Sequence, residues 1–233
     1  MAITTSSWDP TKIRARAGKL FVVNSPYNLS TPPTGFTTAA QLLKMYLANF
    51  YTDGDLQAAL VANLNPWANL DVKGFSYEQK YKQVTFDPSV GLPINAGKYL
   101  ESAIGSCVIG DFSAAKFKDL LSTTSNESLT LAASSTQAAK SGVLIGTTPF
   151  NARYMVLYQW PSQDATGTPI PGQFDNLLIP RAILEADIKA EFTKTKPTDV
   201  AVKVTAESDL WLVSPDSGMY AAAYFQETTA AHS

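Results

Sequence analysis

From Leu70 onward the sequence breaks into short apolar runs, rich in β-branched and aromatic residues and parted by Gly, Pro, Asn and Asp. That rhythm favours a β-sandwich or barrel over a helical domain. The runs cover 72–86 (one or two strands), 98–112 (a central strand pair), 128–132, 141–147, 153–160, 173–179, 183–193, 198–206 and 210–213. Gly74 reads as a bulge, 161–172 as a polar loop, and Tyr220, Tyr224 and Phe225 as a terminal segment able to dock as a strand. Between the runs, 114–121 places Phe117, Leu120 and Leu121 on one helical face behind Ser113 as N-cap.

The first third is different. Residues 18–24 (GKLFVVN) read as a strand, and 25–35 as a loop broken by Pro26, Pro32, Pro33 and Gly35. Behind Thr37 and Thr38 as capping candidates, Leu42, Leu43, Tyr46, Leu47 and Phe50 recur at helical spacing. After Asp53-Gly54-Asp55, residues Leu56, Leu60, Val61 and Leu64 repeat it up to Pro66, which predicts a second helix. The 25–68 stretch is therefore a loop and helical insertion in a single domain spanning 18–233. Its apolar stripes serve either the chain's own core or a partner-binding surface. Residues 1–17, with Trp8, Arg14 and Arg16, form an N-terminal arm that either docks on a neighbour or folds back. No repeat of fixed period is present.

Chemistry is scarce. A Ser-His-Asp hydrolase needs a histidine beside its nucleophile, and the single histidine is His232, next to last. The single cysteine, Cys107, sits in an apolar strand pattern and reads as a small core residue. It also rules out an internal disulfide framework and fits a reducing compartment. Two potential soft ligands cannot build a zinc site. The acidic turn at 53–55 lacks the closing ligands of a calcium loop, and no phosphate-binding glycine motif occurs. The expectation is a non-enzyme without a cofactor.

Charge narrows the partners. A formal net charge of −2 gives no basic field for nucleic acid. Charged residues make up 16% of the chain against about 25% in an ordinary soluble domain, which fits flanks buried by neighbours or a plain β domain rich in Ser, Thr and Ala. No apolar run reaches the roughly 20 residues of a membrane-spanning helix. Met1 leads into a polar stretch rather than a signal peptide, so the expectation is synthesis and retention in the cytoplasm. Glu185, Asp187 and Glu191 alternate along one strand, with Lys189 among them, and define a solvated, mainly acidic face.

The order of features resembles the major tail tube proteins of long-tailed bacteriophages. The resemblance runs over roughly 70–213. It is carried by VKGFSYEQKYKQVTF (72–86), the strand-rich 98–112, the short helix, RYMVLYQW (153–160), NLLIPRAILEADIKAEF (176–192) and 200–206 before Asp209, with Ile179-Pro180-Arg181 leading into a long strand. It implies a sandwich or barrel with a flanking helix, assembled into stacked, hexameric rings that form a conduit for DNA in the virion tail. The partners implied are further copies of the chain, the tape measure, tail terminator and baseplate proteins, and passing DNA without specific binding. Family members bridge rings with a terminal arm and an early loop, which makes Trp8, Arg14, Arg16, Leu42, Tyr46 and Phe50 the stacking candidates and Glu185, Asp187 and Glu191 the lumen candidates. The large helical insertion departs from the family pattern. Alternatives are another tail ring, adaptor or secretion-tube protein, or a carbohydrate-binding module with Trp67, Trp160 and Trp211 as its platform.

Overall fold

The computed structural model describes residues 13–14, 17–25, 38–54, 60–62, 64–70, 74–86, 94–110, 116, 120, 128–143, 153–164, 166–187, 200–209, 211–212 and 222–226. The protein is mainly β. In chain order come β1 (Ile13–Arg14), β2 (Gly18–Asn24), helix α1 (Ala39–Leu47), β3 (Ala68–Leu70), β4 (Phe75–Phe86) and β5 (Ile94–Ile109). The remainder is β6 (Ser128–Leu131), β7 (Lys140–Val143), β8 (Tyr154–Gln163), β9 (Pro169–Asp187), β10 (Val200–Ala206) and β11 (Tyr224–Gln226). Strands β6 and β7 pair separately. The other nine form one antiparallel sheet in the order β1-β4-β5-β10-β9-β8-β2-β3, with β11 on a free stretch of the β9 edge.

This sheet curls over itself. Phe75 on β4 stacks on Tyr158 of β8 with ring centroids 5.2 Å apart. Four strand spacings separate those strands in the hydrogen-bonding order, about 19 Å if the sheet were flat. Strand β3, at one end of the order, likewise comes against β5. Among the described residues the end strands β1 and β3 do not pair with each other, so the roll stays open. Gly105 makes the approach possible, since a Cβ there would lie 2.2 Å from Phe75 Cζ.

The rolled interior is the larger core. Strand β8 sends Tyr154, Val156, Tyr158 and Trp160 inward, β9 adds Leu177, Ile179, Ala182 and Leu184, and β10 adds Val200, Val202 and Val204. Tyr158 and Trp160 stack at 5.1 Å, and Phe225 of β11 stacks on Trp160 at 5.9 Å, so the C-terminal strand caps the aromatic row.

A second core lies on the opposite face of β2, β8 and β9. There Phe21, Met155, Leu157 and Leu178 meet Leu42, Tyr46, Leu47, Phe50 and Tyr51. Strand β8 is thus buried on both faces, which explains its unbroken apolar run. Helix α1 starts at a capping box: Gln41 N–H donates to Thr38 Oγ1 (3.3 Å) and Thr38 N–H to Gln41 Oε1 (3.2 Å). Its apolar face then covers the sheet, each large side chain contributing about 1.5–3 kcal/mol of burial.

Several expectations change. The second helix is not found where 60–66 is described: Leu60 forms a β-bridge with Tyr51, and Val61 N–H donates to Phe50 O at 2.9 Å. The backbone doubles back instead, while Leu60 and Leu64 still pack on the second core. Residues 55–59 lie outside the described residues. The expected strand pair at 98–112 is one strand, β5. The expected strands 173–179 and 183–193 join, over 173–187, into one strand, β9, which also begins inside the expected loop 161–172; 188–193 lie outside the described residues. Gly74 is no bulge but precedes β4 at φ +57°, and the register shifts fall at Lys80/Tyr81 and Val84/Thr85. Residues 211–212 are not strand, whereas Lys116 and Leu120 are helical as expected.

Candidate assembly surface

Strand alternation fixes what the outer face of β9, β10, β5 and β4 presents. Inward-facing Val202 and Val204 leave Ala201, Lys203 and Thr205 outward, and each heads a row across the sheet. One row is Asp187, Ala201 and Val108; the next is Glu185, Lys203, Ser106 and Ser76; the third is Ile183, Thr205, Ile104 and Glu78. Together with Gly74, the middle of this lattice lines a shallow depression of about 670 Å³. Helix α1 and the segment after it belong to the second core, over β2, β8 and the first half of β9, so among the described residues this half is left bare.

The surface is apolar and hydroxylic around the Lys203–Glu185 ion pair, with Glu78 and Lys80 forming another at 3.8 Å on β4. Lys203 Nζ donates to Glu185 Oε2 at 2.9 Å, with Thr205 Oγ1 adding a bond at 3.3 Å. Both side chains are about half exposed (50% and 52%), so solvent screens the pair and it contributes little to stability. Ser76 and Ser106 hydroxyls meet at 2.6 Å, and Ile104 and Val108 are half-buried beside them. Burial pushes the neighbouring Cys107 thiol up to about 12, which keeps it protonated and unreactive. Among the described residues no three His, Cys, Asp or Glu side chains converge as metal ligands. Among the described residues no helix is long and apolar enough to cross a membrane.

The sequence-derived candidates distribute unevenly. Glu185 stands on this face, where Lys203 pairs with it and neutralises its charge. Asp187 closes β9 opposite Ala201, and Glu191 lies outside the described residues. Trp8 and Arg16 also lie outside them. Arg14 sits in β1, whose two residues pair with Ser76 and Tyr77 of the chain's own β4, so that part of the arm folds back.

Leu42, Tyr46 and Phe50 are corrected outright as stacking contacts. All three are buried in the second core and have no surface to offer a neighbouring ring. Buried polar bonds fix the insertion further. Tyr46 donates a short hydrogen bond to Asp209 Oδ2, and Tyr51 donates to Asn176 Oδ1 at 2.8 Å while accepting from Gln159 Nε2. Burial, only partly offset by the Gln159 bond, pushes the Tyr51 hydroxyl up to about 12. The three tryptophans form no shared platform, since Trp160 is buried in the aromatic row and Trp67 and Trp211 pack against different cores.

Sequence reasoning missed Lys203, Ser76 and Ser106. Their alternation was legible, but the register that sets Lys203 beside Glu185 depends on pairing between strands distant in sequence. No protein-family model matches the chain, and no curated protein matches it.

Proposed function

We propose that the chain is a non-enzymatic structural subunit that assembles with copies of itself into stacked, hexameric rings, forming the tail tube of a long-tailed bacteriophage and a conduit for its DNA. The observation that carries this reading is the bare half of the sheet, where Ile104, Val108, Ala201 and small hydroxyls face outward around a self-neutralised ion pair. A face poor in net charge is cheap to desolvate, and charge depletion marks the centre of protein interfaces. The order of sequence features over roughly 70–213, which resembles tail tube proteins, supports the same assembly. A sheet with open ends also gains from ring closure, because neighbours cover edges by symmetry.

On this reading the subunit is assembled in the host cytoplasm and resides in the virion tail. It meets tape measure, terminator and baseplate proteins and lets DNA pass without specific binding. Ring stacking falls to the arm, with Trp8 and Arg16 as its anchors, rather than to the insertion. Negative-stain electron microscopy of the purified chain tests the proposal. Rings or tubes are expected, tubes being lost and rings kept when residues 2–12 are deleted. Rings that never stack at any concentration favour a tail ring or adaptor instead, and a monodisperse monomer at high concentration contradicts the proposal.

A further inference from the structure

Two hairpins leave the sheet at the same end and carry opposite charge. Ala206, the last residue of β10, lies opposite both Ala103 of β5 and Ala182 of β9. Beyond that rung the β4–β5 ribbon runs on through 79–86 and 94–102, and the β8–β9 hairpin through 160–163 and 169–175. The ribbon carries Lys80, Lys82 and Lys98 against Glu101. The hairpin, turn included, carries Asp164 and Asp175 and no cation, and Asp175 is buried. Each hairpin also holds one of the two large apolar side chains that stand exposed among the described residues, Tyr81 at 50% and Phe174 at 43%.

The two aromatic side chains face opposite ways. Gln79 Nε2 donates to the Tyr77 hydroxyl (2.8 Å) and the Tyr81 hydroxyl donates to Gln79 Oε1 (2.8 Å), so Tyr81 continues the inward row of Tyr77. Phe174 continues the outward row of Leu178, which packs in the second core, and of Asn176, which accepts from Tyr51. A contact between them therefore takes two copies. The acidic turn is built in advance: Asp164 Oδ1 accepts from Thr166 N–H (2.9 Å), Thr166 Oγ1 (2.6 Å) and Thr168 N–H (2.9 Å). These bonds, that of the Thr166 hydroxyl first, hold its carboxyl below the usual carboxylate range and keep it charged. On the ribbon, Lys80 lies 3.8 Å from Glu78 in a pair open to solvent, and exposed Lys82 has no ion pair among the described residues.

We propose that the acidic β8–β9 hairpin of one copy docks against the basic β4–β5 ribbon of the next, Phe174 toward Tyr81 and Asp164 toward Lys82. The inference rests on the self-assembly reading and adds a second contact to that of the bare face. It joins unlike surfaces of successive copies, the kind of contact that closes rings or extends filaments. One aromatic pair and one screened ion pair do not hold copies together alone, so this contact tightens an assembly that the bare face begins.

Sedimentation velocity of the full chain over a concentration series tests it. Phe174→Ser is expected to raise the concentration at which large species form by about two- to tenfold, the range of one aromatic pair. Asp164→Asn keeps an oxygen for the turn but loses the charge, and should weaken association of the wild type. Lys82→Glu should weaken it further by setting two carboxylates face to face, and adding Asp164→Asn to Lys82→Glu should then strengthen association. That reversal of sign decides the matter even where Phe174→Ser does not fold. If wild type assembles while Phe174→Ser assembles equally well, or Asp164→Asn acts alike in both backgrounds, the hairpin contact is overturned and the bare face stands. Wild type that stays a monomer overturns both.

Discussion

The two halves of the sheet's outer face carry the same strand alternation and different consequences. Over β2, β8 and the first half of β9, the outward residues are Phe21, Met155, Leu157 and Leu178, and helix α1 with Tyr51 covers them. Over the second half of β9, β10, β5 and β4, the outward residues are smaller and more polar, around Lys203 and Glu185, and the α1 cover stops short of them. The chain's own insertion satisfies the first half completely. The second half mixes apolar, hydroxylic and paired charged side chains, and on the proposed reading a second copy covers it.

The comparison can be broken at its strongest point first. Phe50→Ala empties a fully buried site in the covered half and is expected to lower unfolding free energy by about 3–5 kcal/mol in chemical denaturation. A loss of only a few tenths would mean that the insertion does not cover the sheet.

Tyr51→Phe is a smaller perturbation. It removes the hydroxyl that joins Asn176 and Gln159, leaves both amides buried, and should cost about 1–3 kcal/mol. It also changes the pH profile. The folded Tyr51 hydroxyl holds its proton up to about pH 12 against 10.0 for the ordinary group, so in that interval the folded state binds more protons than the unfolded state. Stability is complete below pH 10.0 and falls as pH rises toward 12. Denaturant midpoints measured across this window should decline less steeply in Tyr51→Phe than in wild type, and an unchanged slope would place that hydroxyl in solvent.

The smallest effect on the monomer is expected in the bare half. Ser106 is exposed in the middle row, and Ser106→Glu should move monomer stability by no more than about 0.5 kcal/mol. The same change places a second carboxylate beside Lys203, leaves the depression with a net negative charge, and should abolish association.

Much of this contrast was legible in the sequence. Residues 18–24 gave β2 at its observed limits, and the 3.6-residue spacing of Leu42, Tyr46 and Phe50 gave α1 with the face it buries. The second helix failed because Leu60 and Leu64 match helical spacing equally well when an irregular segment lays them on a sheet. Residues 173–187 looked like two strands because Pro180 and Arg181 interrupt the pattern, yet a bulge absorbs the extra residue and β9 continues. Cross-strand facts were out of reach: neither the Lys203–Glu185 pair nor the convergence of Arg153 and Arg181 on Glu207 follows from spacing along the chain. Both depend on register between strands that the sequence separates widely.

The central claim is that the bare half of the sheet is where copies meet, and sedimentation velocity of wild type and Ser106→Glu over a wide concentration range tests it most directly. The account predicts that wild type shifts to large species as concentration rises while Ser106→Glu, equally folded, stays a monomer. Wild type that remains a monomer throughout, or a variant that assembles just as well, would contradict it.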